Sequence, residues 1–258
     1  VPPKNGFKIK GKVEFKNVWF SYNENQFVLK DISFSLEKGE SLAIVGATGS
    51  GKSTIINALC RFYEINRGDI LFDGQSIKDI NKFDLRKQIA LVQQDVFLFS
   101  GKVIDNIRLG NVQMSQEEIQ SISTAVNSHN FINEFPLKYE QELIEGGGSI
   151  SSGQRQLLSF ARALAIKPQI LVLDEATSSV DMDTERQIKN GIKEMTRGRT
   201  SIIIAHRLST LMHVDKVLVL KNGRIIEFGK RNELLQRRGI FYKLCQAQIK
   251  SEQFSAEQ

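Results

Sequence analysis

The stretch Leu42-Ala43-Ile44-Val45-Gly46-Ala47-Thr48-Gly49-Ser50-Gly51-Lys52-Ser53-Thr54 constrains this chain more than any other. Its apolar start reads as a buried strand, a glycine-rich turn follows, and Ile55, Ile56 and Leu59 then take helical spacing. A strand that enters a GxxxxGK[ST] turn and leaves as a helix is a unit that grips a nucleoside triphosphate. Gly49 and Gly51 let backbone N–H groups turn onto a phosphate with no Cβ in the way. The new helix points its positive end at the same phosphate. Lys52 supplies a point charge, and the Ser53 hydroxyl is placed to ligate Mg²⁺. Gly46, Thr48, Ser50 and Thr54 are assigned to the same cradle.

The 258 residues, 41% of them apolar, suffice for one substantial core or two unequal lobes. No run approaches the ~18 consecutive apolar residues of a membrane span, and no start resembles a signal peptide. A soluble, cytosolic chain is the expectation. Cys60 and Cys245 lie far apart, without metal-ligand spacing, and read as reduced core residues. The net charge of +6 invites a nucleic-acid reading, but acids are interleaved with the bases. The densest basic cluster, Lys230-Arg231 with Arg237-Arg238, lacks an aromatic platform and reads as a solvated helix face. No nucleic-acid partner is expected.

Taken in order, Val1–Gly6 looks like a linker, and residues 1–12 are assigned to a connection from a preceding transmembrane domain. Strand patterns run from Val13 to Tyr22 and from Val28 to Leu36. The helix after the phosphate loop extends to about Phe62. Asp73-Gly74 and Asn222-Gly223 mark tight hairpins, and Ile89–Val92 is a short buried strand. Residues 96–165 turn helical, with a capping box at Ser115–Glu118 flanked by Met114 and Ile119. Gly146–Gln154 breaks that pattern, and a helix restarts with Leu157, Leu158, Ala161, Leu164 and Ala165 on one face. Ile170–Leu173 and Ser201–Ala205 read as buried parallel strands. A single helix from about Asn232 to Ile249 is expected to close the chain before a frayed tail, 246–258.

In open α/β sheets, ligand groups collect at the carboxyl ends of the strands. One buried strand ends in Asp174-Glu175 and the other at His206. Asp174 is the natural partner of the Mg²⁺ that Ser53 ligates. Glu175 can orient and deprotonate a water in line with the γ-phosphate. His206, at the same edge as Lys52 and Glu175, is assigned a γ-phosphate contact.

These motifs, with Gln94, Ile150-Ser151-Ser152-Gly153-Gln154 and Ser178-Ser179-Val180-Asp181, occur in the order found in one family. From Val13 to about Leu244 the chain resembles the nucleotide-binding domain of ATP-binding cassette (ABC) transporters of the exporter type. The resemblance implies an α/β P-loop NTPase fold with an N-terminal antiparallel β-subdomain and an inserted α-helical subdomain. The ATPase domain would span 13–245, with its catalytic core in 13–95 and 166–245 and the helical subdomain in 96–165. It implies ATP and Mg²⁺, Tyr22 stacking on adenine, and Gln94 touching Mg²⁺ and the attacking water while relaying to the membrane domain. Glu142 and Glu145 match an acidic segment that faces membrane-domain coupling helices. Two such domains would stack head to tail at the cytoplasmic face of a membrane. Each ATP would then lie between one chain's phosphate loop and the other chain's Ser151, Gly153 and Gln154.

One departure stands out. The family signature is Leu-Ser-Gly-Gly-Gln, and Ser152 here replaces a glycine. A positive φ at that position would cost about 1–2 kcal/mol, enough to slow the partner's ATP site. With Lys52, Glu175 and His206 intact, that combination fits an asymmetric heterodimer; a homodimer tolerating Ser152 is the alternative. A nucleic-acid- or ribosome-associated cassette ATPase is the other class, opposed by the short insert and by Phe97-Leu98-Phe99-Ser100-Gly101 after Gln94.

Overall fold

The computed structural model describes residues 6–23, 26–109, 111–174, 182–205 and 208–256. The N-terminal half comprises β1 (Val13–Phe20), β2 (Leu29–Leu36), β3 (Ser41–Val45), α1 (Lys52–Leu59), β4 (Arg67–Phe72), β5 (Gln75–Ser76), α2 (Lys82–Arg86) and β6 (Ile89–Val92). The insert follows with β7 (Gly101–Lys102), α3 (Val103–Arg108), α4 (Gln116–Ala125), α5 (His129–Glu134), β8 (Glu142–Leu143) and α6 (Ser152–Ala165). The chain then returns through β9 (Ile170–Asp174), α7 (Met182–Thr196), β10 (Thr200–Ile204), α8 (Leu208–Leu211), β11 (Lys216–Lys221) and β12 (Arg224–Lys230). It closes with α9 (Arg231–Arg237) and α10 (Ile240–Ala256).

Two large sheets organise these elements, and β7 and β8 pair as a separate antiparallel ribbon. One runs β2-β1-β4-β5 and is antiparallel; the other runs β12-β11-β3-β10-β9-β6 and is parallel except for the edge strand β12. The parallel strands are apolar on both faces because each face meets a different core. Ala43, Val45, Leu171, Leu173, Ile203 and Val217 join the core shared with the helical insert. Leu42, Ile44, Ile170, Val172, Ile202 and Leu218 join the core shared with the antiparallel sheet and α1. A one-residue slip would exchange the two cores, setting side chains of the wrong volume against each, and close packing opposes that exchange.

Local signals act as the sequence suggests. Asp73 and Asn222 have φ of 51°, and each precedes a glycine of positive φ, as a type I′ turn requires. The Ser115 hydroxyl accepts the Glu118 N–H at 3.2 Å, and the Glu118 carboxylate accepts the Ser115 N–H at 3.1 Å. Residues 7–12 run along the core. Ile9 is buried, its N–H donates to Gln88 Oε1 at 2.8 Å, and the Lys10 and Lys12 N–H groups donate to the Asp73 carboxylate at 2.6 and 3.0 Å. Cys60 and Cys245 are free and buried, and burial pushes the Cys60 thiol up to about 12.

Two expectations are corrected. The first helix stops at Leu59, with Arg61 at φ 52°, rather than near Phe62. The closing helix is two helices, because Arg238 takes a left-handed conformation (φ 51°) and ends α9. Glu227 on β12 then accepts the N–H groups of Ile240 and Phe241 at 2.6 and 2.9 Å, which anchors the start of α10. Glu227→Ala leaves those two donors without their carboxylate. It should lower the unfolding free energy by about 1–2 kcal/mol in chemical denaturation.

Candidate functional site

The parallel register brings four strand ends to one edge. Ile204 of β10 stands opposite Ile44 of β3 and Asp174 of β9, and Val92 of β6 stands opposite Leu173. The loop after Val45, Gln94 and Asp174 therefore emerge side by side. They line a cleft of about 530 Å³ whose walls include Thr48, Gly49, Gly51, Lys52, Ser53 and Thr54.

The loop is shaped by close approach. A Cβ on Gly46 would collide with the Leu220 carbonyl oxygen and with Ser50 Oγ. Gly51, at φ 107°, forms the left-handed entry to α1, a conformation that resists any side chain. The β11–β12 hairpin braces the loop from behind, because Gly223 N–H donates to the Ser50 carbonyl at 3.0 Å. Ser50 Oγ is buried and has no hydrogen-bond partner among the described residues.

Lys52 is 7% exposed, and its Nζ donates to the carbonyls of Gly46 and Ala47 at 2.8 and 3.2 Å. Burial lowers its pKa, and the Asp174 carboxylate works in the opposite direction. A cation held this way across the loop is placed for an anionic ligand. Ser53, exposed beside it, offers a hydroxyl; Gln94 and Asp174 add an amide and a carboxylate. These are oxygen donors suited to a hard cation such as Mg²⁺. Among the described residues no group of His, Cys, Asp and Glu could hold a metal unaided, so a cation here would share the oxygens of a bound phosphate.

Tyr22 stands at the edge of this region. Its hydroxyl donates to Thr54 Oγ1 at 3.3 Å and accepts from Asn57 Nδ2 at 3.1 Å. The half-exposed ring sits edge-on to Phe20 and Tyr63, with centroids 4.8 and 5.1 Å away. Asn57 has no motif to announce it, and sequence reasoning missed it. Glu175, His206 and Ser178–Asp181 lie outside the described residues.

Ser151, Gly153 and Gln154 do not line the cleft; they form the start of α6. Ser151 Oγ accepts the Gln154 N–H at 3.1 Å, and Gln154 Oε1 accepts the Ser151 N–H at 3.0 Å. This capping box leaves the Ser151 hydroxyl proton and the first two helical N–H groups to meet an anion. Ser152 is the first residue of α6 and does not have positive φ. The backbone strain expected at Ser152 is therefore absent, since a helical φ suits serine as well as glycine. Ser152→Gly should leave ATP turnover within about twofold and lower stability by up to about 1 kcal/mol. A several-fold faster enzyme would instead show that the serine side chain obstructs the site.

A family profile described as ABC transporter matches residues 29–178. The uncharacterized ABC transporter ATP-binding protein YknV of Bacillus subtilis (strain 168) is 47% identical over 241 residues, covering 93% of this chain and 40% of that protein. The probable multidrug resistance ABC transporter ATP-binding/permease protein YheH of the same organism is 45% identical over 238 residues, covering 92% of this chain and 35% of that protein. The chain thus spans well under half the length of these curated relatives. A solved structure of a bacterial Atm1-family ABC exporter with ATP bound superposes with a TM-score of 0.87 at 36% identity, covering 96% of this chain and 44% of that one. With the phosphate loop, Gln94 and Asp174 at one cleft and the signature helix apart from it, this chain belongs to the ABC transporter family as its ATP-binding domain, an ATPase.

Proposed function

We propose that the chain is the ATP-driven motor of an exporter, working at the cytoplasmic face of a membrane and paired head to tail with a second nucleotide-binding domain. The observation that carries this reading is the separation of two incomplete anion sites. The cleft holds Lys52, Ser53, Gln94 and Asp174, while the capped N-terminus of α6 stands apart from it. Each is half of a site, and two chains related head to tail would complete both. The multidrug export and ATP-binding/permease names of relatives support an exporter.

In this reading Lys52 and the loop N–H groups bind the β- and γ-phosphates, and Tyr22 stacks on the base. Ser53, Gln94 and Asp174 would hold Mg²⁺, which supplies charge neutralisation at the phosphates. Glu175 takes the proton from the attacking water, and His206 contacts the γ-phosphate. Ser151, Gly153 and Gln154 of the other chain cover the γ-phosphate with a hydroxyl and N–H groups.

Membrane helices would dock on the far side of the Gln94 segment. A groove of about 410 Å³ lies there, with Gln93, Asp95, Phe97 and Phe99 in its wall. Phe97, Phe99 and Ile144 expose 50, 50 and 62% of their surface, and Glu142 and Glu145 are exposed nearby in sequence. The absence of strain at Ser152 removes the backbone argument for two unlike chains, so a pair of identical chains is the simpler reading.

Glu175→Gln should reduce turnover by at least about 100-fold while ATP still binds. Unchanged turnover would overturn the assignment of the base. Cooperative steady-state ATPase by the purified chain alone supports the identical pair; turnover only after addition of a second, different chain would support the heterodimer.

A further inference from the structure

Arg162 is an arginine on the long helix that the signature opens, and no step above uses it. Its guanidinium makes three bonds to backbone and side-chain oxygens. Nε donates to the Asn106 carbonyl at 3.0 Å, Nη2 to Asn106 Oδ1 at 3.0 Å, and Nη1 to the Phe97 carbonyl at 2.9 Å. Its carbon centre lies 5.8 Å from the centre of the Phe99 ring. Burial lowers its pKa, and these three acceptors offset that burial.

The segment it grips is held residue by residue. Phe97 is bound by Arg162. The Leu98 carbonyl accepts the Gly146 N–H at 2.9 Å, from the loop just before the signature. Phe99 exchanges two hydrogen bonds with the buried amide of Asn106, at 3.0 and 2.9 Å. The same stretch of chain divides two cavities. Gln94 lines the nucleotide cleft, whereas Gln93, Asp95, Phe97 and Phe99 line the groove on the other side, together with Arg162. Among these residues, Arg162 is the one that belongs to the signature helix. It stands ten residues along α6 from Ser152, about 15 Å of rigid helix.

We infer that Arg162 is a positioning residue that locks the Gln94 segment to the signature helix, so that movement of one displaces the other. This rests on the proposed roles of Gln94 and of Ser151–Gln154. Guanidinium is required because each of its three nitrogens meets a different acceptor, and a lysine ammonium, a single nitrogen on a flexible stem, cannot satisfy them together. Arg162 touches neither the cleft residues nor the α6 N-terminus, so it acts on rate through Gln94 and leaves nucleotide affinity alone.

The test is a double-mutant cycle on the ATPase of the assembled transporter, with Arg162→Lys, Gln94→Ala and the double variant. Arg162→Lys should lower kcat about five- to tenfold with KM for ATP within about twofold, and the double variant should match Gln94→Ala within about twofold. Additive losses, or a KM that rises as kcat falls, overturn the link while leaving the proposed function standing. A Gln94→Ala enzyme with normal kcat removes both the link and the assigned role of Gln94. If Arg162→Lys shows no cooperative thermal transition, Phe99→Ala replaces it in the cycle, because that half-exposed ring can be cut back without opening the core.

Discussion

The parallel pairing of β3, β10, β9 and β6 is the constraint on which the rest of the structure depends. Because Ile44, Ile204 and Asp174 are level with one another, the segments that follow these strands leave the sheet together. Lys52, Gln94 and Asp174 come from distant parts of the sequence and meet only because that register is fixed. The register in turn is fixed by alternation: odd and even side chains of each strand enter different cores. The geometry of the cleft is a by-product of apolar packing.

Electrostatics acts on that frame at short range. The phosphate loop presses against the end of β11 so closely that only glycine fits at position 46. The loop then shields Lys52 from water while its carbonyls hold the ammonium in place. A cation that is already desolvated gives up less on meeting a phosphate, and the Asp174 carboxylate opposes the lowering of its pKa by burial. The Ser50 hydroxyl, buried beneath the loop without a partner among the described residues, belongs to the same tension between tight packing and polar content.

Much of this was legible in the sequence, for identifiable reasons. The phosphate loop, the Asp73-Gly74 and Asn222-Gly223 hairpins, and the capping box at Ser115 are local, and local chemistry writes itself into adjacent letters. The break at Arg238 had a local signal that sequence reading passed over, Gly239 directly after Arg237-Arg238, and Glu227 then captures the N–H groups that start α10. The conformation of Ser152 was hidden, since a five-residue motif names side chains and leaves φ to the capping box around it. Asn57 and Arg162 escaped because their partners are a distant hydroxyl and backbone carbonyls, which no spacing encodes. Glu175 and His206 remain assignments from sequence.

The proposed head-to-tail pairing requires the cleft and the α6 N-terminus, which one chain carries apart, to meet across two chains. Hydrogen exchange on the assembled transporter, with and without Mg·ATP, reads both at once. The loop amides of residues 48–54 and the helix-start amides of residues 151–155 should both slow by about tenfold or more when ATP is added. Protection confined to residues 48–54, with 151–155 unchanged, would contradict the head-to-tail site.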